Sequence, residues 1–266
     1  MELEAADGDC IIKWGGGVEI IGVLLAVVCA LLWFLPAVRA QGTNRFLARK
    51  DYVRIAMLYG LLCSCVPIIV AEVAWDAIFG SPQPNELVRE IVADFFRAAL
   101  LEECFKLTGF LLAWRKYRPE RKIDCILIAG TIGLTYAVVE KAAMANPVSA
   151  ITGSIVPMHI LWQFNQGGHF YEYLQAKTRN DQACARKEWF MAFIVPFLLH
   201  GCWDSALSAI IYCAGREDST AMQVVSAATL IAVLALGPTY TIKTIRKVRR
   251  IAKEAPEAPN RAPAIQ

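Results

Sequence analysis

Glutamate, histidine and lysine recur in this sequence inside stretches that are otherwise apolar. Near a bilayer centre each such residue costs about 2.5–3.5 kcal/mol, so its retention points to function. Glu102, Glu103 and Lys106 share one apolar stretch, Glu140 lies in the next, His159 opens another, and His200 and Asp204 share a further one. On a helix Lys106 is three residues beyond Glu103 and four beyond Glu102, so one ammonium reaches either carboxylate. One lysine cannot neutralise two glutamates. In a low dielectric the coupled pair is then suited to taking and returning a proton, as a general base for water must. His200 and Asp204 are four apart, which lets the carboxylate orient the imidazole. Two histidines and a glutamate from separate helices also suffice for a catalytic zinc set with an open position, with His159, His200 and Glu103 as the ligands. The glutamates and Lys106 exchange protons without an ion, so metal-free hydrolysis is the first expectation and zinc the second.

Each residue taken singly has a plainer reading. Glu102–Lys106 is an ordinary helical ion pair, His200 an interhelical hydrogen bond, and Glu140, followed by Lys141, an interfacial residue. Convergence of four segments at one depth favours function over packing. For Asn165, Gln166 and His169 the packing reading is preferred.

Positioning these residues requires long helices. Seven segments approach the roughly 20 apolar residues of a membrane span, at about 17–38, 53–75, 90–114, 123–143, 153–174, 189–213 and 220–242. Basic loops follow the first, third, fifth and seventh segments (Arg45, Arg115, Arg186 and Arg246 among them), and the other connections are poor in Lys and Arg. By the positive-inside rule this alternation places the N-terminus outside and the C-terminus in the cytoplasm. Acidic residues (Glu2, Glu4, Asp7, Asp9) precede the first segment where a signal peptide would be basic, so it reads as a span. At a rise of about 1.5 Å per residue, Glu102, Glu103 and His200 fall near mid-membrane, with Glu140, His159 and Asp204 nearer the outer face.

Composition agrees. Of the 266 residues 56% are hydrophobic and only 19% charged, against about 45–50% and 25% in soluble domains. The net charge of +3 is divided among short loops, which argues against a nucleic-acid partner. Nine cysteines, with no C-x-x-C, read as small packing residues. The expected organisation is an all-α bundle of about seven spans over residues 1–242. A basic, then Pro/Ala-rich, disordered tail is expected over 243–266.

Four motifs carry a family resemblance. They are Glu102-Glu103-Cys104-Phe105-Lys106, the segment from Gly133 to Glu140, Pro157-Met158-His159, and His200-Gly201-Cys202-Trp203-Asp204. In order and interval they resemble the PrsW family of intramembrane proteases, related to CAAX prenyl proteases and bacteriocin-processing homologues. The chain departs from that pattern at Lys141, where the family usually has Asn, and lacks an Arg shortly before His159. The resemblance implies a prokaryotic cell-membrane enzyme that cleaves membrane-anchored proteins such as single-span anti-sigma factors. It also implies that Glu103 with Glu102 activates water while His159 and His200 hold it or stabilise the oxyanion. A proton-coupled transporter and a non-catalytic membrane scaffold are the alternatives. Oligomeric state is left open.

Overall fold

A computed structural model describes residues 2–6, 9–13, 28, 50–79, 87–143, 158–214 and 220–254. The expected first span apart from Val28, the connections 144–157 and 215–219, and the Pro/Ala-rich residues 255–266 lie outside the described residues. Strands β1 (Glu2–Ala6) and β2 (Asp9–Lys13) pair antiparallel, with Glu2 opposite Lys13. This hairpin is an exception to the all-α expectation. Every other described element is helical.

The helices are α1 (Lys50–Phe79), α2 (Leu87–Ala93), α3 (Leu100–Tyr117), α4 (Lys122–Ala143), α5 (Met158–Thr178), α6 (Gln182–Ala214) and α7 (Thr220–Glu254). A π-helical turn, Asp94–Ala99, joins α2 to α3. Several helices outrun the apolar segments that mark them. Helix α6 begins seven residues before the expected 189, and α7 runs through Lys243, Arg246 and Lys247 to Glu254. The basic residues expected to begin a disordered tail are therefore helical, with Ile245 and Val248 buried. Hydropathy reads only the apolar layer, whereas backbone hydrogen bonding continues beyond it.

Local chemistry sets the turns. Helix α3 ends at Arg118 in a left-handed conformation (φ 42°, ψ 59°), its N–H donating to the Trp114 carbonyl at 2.7 Å, and Pro119 follows. Arg121 then donates two 2.8 Å bonds to Asp124 in the first turn of α4. Helix α5 ends at Thr178, Asn180 (φ 56°) lies in the turn that follows, and the Asp181 side chain accepts from the Cys184 N–H at 3.0 Å to start α6.

Helix α4 is central. Its residues from Ile123 to Tyr136 are all buried, and α5 packs along it on one side and against α6 on the other. Close approach depends on glycine. A Cβ on Gly133 would stand 2.5 Å from the His159 carbonyl oxygen, and one on Gly201 would stand 2.4 Å from the Phe95 ring. These contacts press the start of α5 onto α4, and α6 onto the π turn.

Polarity is arranged inside out. Leu62, Val73, Ile78, Val88, Phe190 and Ile231 are exposed, while Glu103, Lys106, Gln163 and Gln166 are wholly buried. Water would punish that distribution, and a hydrocarbon surround rewards it. Among the described residues two helices are long and apolar enough to cross a membrane, over Lys122–Glu140 and Gln182–Ile210.

Candidate active site

Helix α3 presents Glu102, Glu103 and Lys106, α4 presents Glu140, α5 His159, and α6 His200 and Asp204. All seven sequence-selected residues fall in one contact network. At its centre the Lys106 Nζ lies 2.8 Å from Glu103 Oε1, 3.2 Å from Glu102 Oε2 and 2.9 Å from His159 Nδ1. It also sits over the Tyr136 ring, 3.8 Å from its centroid. The sequence suggested that the lysine serves one glutamate at a time. It reaches both at once, because the two glutamates lie four and three residues before it on one helix face.

Hydrogen-bond chemistry fixes the histidine roles. An ammonium only donates, so His159 Nδ1 accepts, and its Nε2–H faces Glu140 Oε2 at 2.8 Å. The His200 ring lies between carboxylates. Its Nδ1 is 2.9 Å from Glu103 Oε1, and its Nε2 is 3.0 Å from Asp204 Oδ2 and 3.5 Å from Glu102 Oε2. Carboxylates only accept, so a doubly protonated ring satisfies both sides. Glu103 is engaged at both oxygens: Lys106 and His200 meet Oε1, and the Gln163 amide donates to Oε2 at 2.7 Å. The Glu102 side chain keeps 13% exposure, Glu140 26% and Asp204 28%, whereas that of Glu103 has none. Glu102, Glu140 and Asp204 are thus the carboxylates of the network that remain partly open.

Three participants had no role assigned from sequence. Gln163 holds Glu103, the Tyr136 hydroxyl bonds Glu102, and the Trp162 ring stacks on His200 at 4.5 Å and 27°. The signal was helical spacing. Gln163 and Trp162 lie four and three residues beyond His159, and Tyr136 lies four before Glu140. In the π turn, Asp94 is buried and bonds Ser208 on α6. Cys104 and Cys202 are exposed and stay outside the network.

His169 takes no part. Its Nδ1 contacts Glu188 at 2.7 Å, on a part of α5 remote from His159. Asn165 donates to the Leu161 carbonyl and to Tyr240, and buried Gln166 has no hydrogen-bond partner for either amide atom among the described residues.

The fold and this centre define a class: α-helical membrane proteins with carboxylates, imidazoles and an ammonium gathered in the interior. The sequence pattern of the PrsW family intramembrane metalloproteases matches residues 48–235, well over half of the chain, and the chain belongs to that family. It is similar to a protein of Oceanobacillus iheyensis described as Protease PrsW, 27% identical over 145 residues, which are 52% of this chain and 60% of the relative. The chain thus spans about 60% of the length of that curated relative. No solved structure matches it.

The family description names a metal, against the metal-free hydrolysis that the sequence put first. By type the donor set fits one, with His200 deprotonated and the Lys106–His159 bond given up. Ligand atoms of Glu102, His159 and His200 all lie within 4.8 Å of one another, a two-histidine, one-carboxylate set like those of catalytic zinc sites. Glu103, the glutamate chosen from sequence, is outside that group; Lys106, His200 and Gln163 engage its oxygens. Glu103 and Glu140 each contact a histidine of the set, as carboxylates behind metal-binding imidazoles commonly do. The Lys106 ammonium shares two members of the set, Glu102 and His159.

Proposed function

We propose that this chain is an intramembrane endopeptidase that hydrolyses peptide bonds of membrane-anchored proteins, with single-span, anti-sigma-factor-like chains as the substrate class. The observation that carries this reading is the buried network of Glu102, Glu103, Lys106, His159 and His200 inside an outwardly apolar bundle. Family membership supports it. Residues 1–242 form a protease domain of seven spans in a prokaryotic cell membrane, and 243–266 form a cytoplasmic segment. The N-terminus is outside, as the charge alternation of the loops indicates.

The two glutamates divide the work. Glu102, partly exposed and bonded by Tyr136, meets water and removes its proton. Glu103 is a positioning residue: its bonds to His200, Lys106 and Gln163 fix all three side chains. His159 and His200 face the oxygen that becomes negative as the carbonyl turns tetrahedral, where pre-aimed donors contribute most. Asp204 and Trp162 hold the His200 ring plane. Glu102, His159 and His200 would hold a zinc ion, which would supply Lewis-acid polarisation of the carbonyl and take over the activation of water that Glu102 otherwise performs.

The test is co-expression of a tagged single-span protein with the wild type, Glu102→Gln or His200→Ala. The wild type releases a shortened product, and each variant accumulates in the membrane as folded protein without releasing it. Product from both variants at the wild-type level would refute the assignment.

A further inference from the structure

A second set of ionisable groups surrounds a cavity of about 240 Å³ where α4, α5, α6 and α7 meet. An ion pair, Lys122 with Glu172, and a histidine–carboxylate contact, His169 with Glu188, border it. Each carboxylate there therefore already has a cationic or imidazole partner. Lys247 of α7 also lines it, is exposed, and has no partner among the described residues. Around these pairs the walls combine apolar Ile126, Phe164, Val248 and Ile251 with polar Asn165 and Thr244. The floor is open at Gly168, where a Cβ would meet nothing nearer than Ile126 at 4.0 Å.

We infer that this cavity is a binding site for the phosphodiester headgroup of an anionic membrane lipid. The ammonium of Lys247, and that of Lys122, whose three donors meet one carboxylate among the described residues, supply the charge for a phosphate. The apolar walls suit the glycerol and the first methylenes of the acyl chains. Position agrees: Lys122 is the first residue of α4, and Arg121, Lys243, Arg246, Arg249 and Arg250 add positive charge to the same end of the bundle. In the orientation proposed above this end faces the cytoplasm, where basic pockets between helices take anionic headgroups. The inference rests on that orientation and not on peptidase activity.

Its test is titration of detergent-solubilised, delipidated full-length protein with dihexanoyl phosphatidylglycerol, dihexanoyl phosphatidylcholine and inorganic phosphate. Phosphatidylglycerol is expected to bind at least tenfold more tightly than phosphatidylcholine. Lys247→Gln is expected to weaken it about fivefold, the size typical of one basic residue near a membrane surface. Gly168→Leu, which fills the cavity and leaves every charge in place, removes saturable binding. Lys247 is exposed and has no partner among the described residues, so its variant is expected to fold and keeps the test decisive should Gly168→Leu fail to fold. Equal affinity for both lipids, or phosphatidylglycerol binding unchanged by Lys247→Gln, overturns the proposal. Inorganic phosphate binding as tightly as phosphatidylglycerol overturns the lipid assignment in favour of a soluble anion. Lipid binding is read without any cleavage step, so failure of the peptidase reading leaves this test intact, and failure of lipid binding leaves the peptidase reading untouched.

Discussion

His159 and His169 stand ten residues apart on α5, and each contacts a glutamate, at 2.8 Å and 2.7 Å. Their surroundings differ in how many helices share them. His159 is also bonded by Lys106, which in turn joins both glutamates of α3, and Glu103 passes the network on to His200 of α6. His169 and Glu188 form a single pair beside a cavity, with side-chain exposures of 27% and 14%. A pair at the edge of a bundle loses little when one member is removed. In the closed network, deleting one group strands several others in a dry interior, where an uncompensated charge costs about 3–5 kcal/mol. Chemistry of the same residue types thus carries different weight according to connectivity.

The largest effect should follow Glu103→Leu. It removes the acceptor of Lys106, His200 and Gln163 together, so stability is expected to fall by about 3–5 kcal/mol in an unfolding titration. A loss below about 1 kcal/mol would place Glu103 on the same footing as Glu188 and erase the contrast. Glu103→Gln keeps the volume but not the charge. Retained fold with cleavage reduced about 10²–10⁴-fold is expected, since Glu103 orients the groups that perform acid–base work.

Lys106 sharpens the comparison differently. Its ammonium lies among the groups able to hold a divalent ion. Replacing it with Met should tighten zinc binding at least tenfold in equilibrium dialysis while lowering the stability of the zinc-free protein. Unchanged zinc affinity would show that the lysine and the ion do not compete. Gln163→Leu is milder. It removes one bond to the Glu103 carboxylate, and a stability loss of about 1.5–3 kcal/mol is expected from thermal or denaturant unfolding. The smallest effect belongs to His169→Ala, for which cleavage within about twofold of wild type and a stability change within about 1 kcal/mol are expected.

Much of this was legible in the sequence, for a definable reason. An ionisable residue in an apolar run is conspicuous, and helical spacing says which neighbours share its face. That sufficed to select Glu102, Glu103, Lys106, Glu140, His159, His200 and Asp204, which the fold brings together. It could not say that Lys106 touches both glutamates, nor that Glu102 rather than Glu103 lies with the histidines as a ligand group. Those outcomes depend on rotamers and on the approach of α5 and α6, which glycines at 133 and 201 permit. Gln163 and Trp162 were hidden for the same reason, since an amide and an indole in apolar sequence signal packing as readily as support for a site. Helix ends beyond the apolar layer, such as α7 running to Glu254, leave no trace in hydropathy.

The central claim is that the closed network cuts peptide bonds within the membrane. It is tested most directly by reconstituting purified protein into vesicles with a single-span substrate and identifying the products by mass spectrometry. The account predicts one cleavage within the outer half of the substrate's span, abolished by Glu102→Gln and by His200→Ala and preserved by His169→Ala. Absence of any product from zinc-supplied wild type, or equal product from Glu102→Gln, would contradict it.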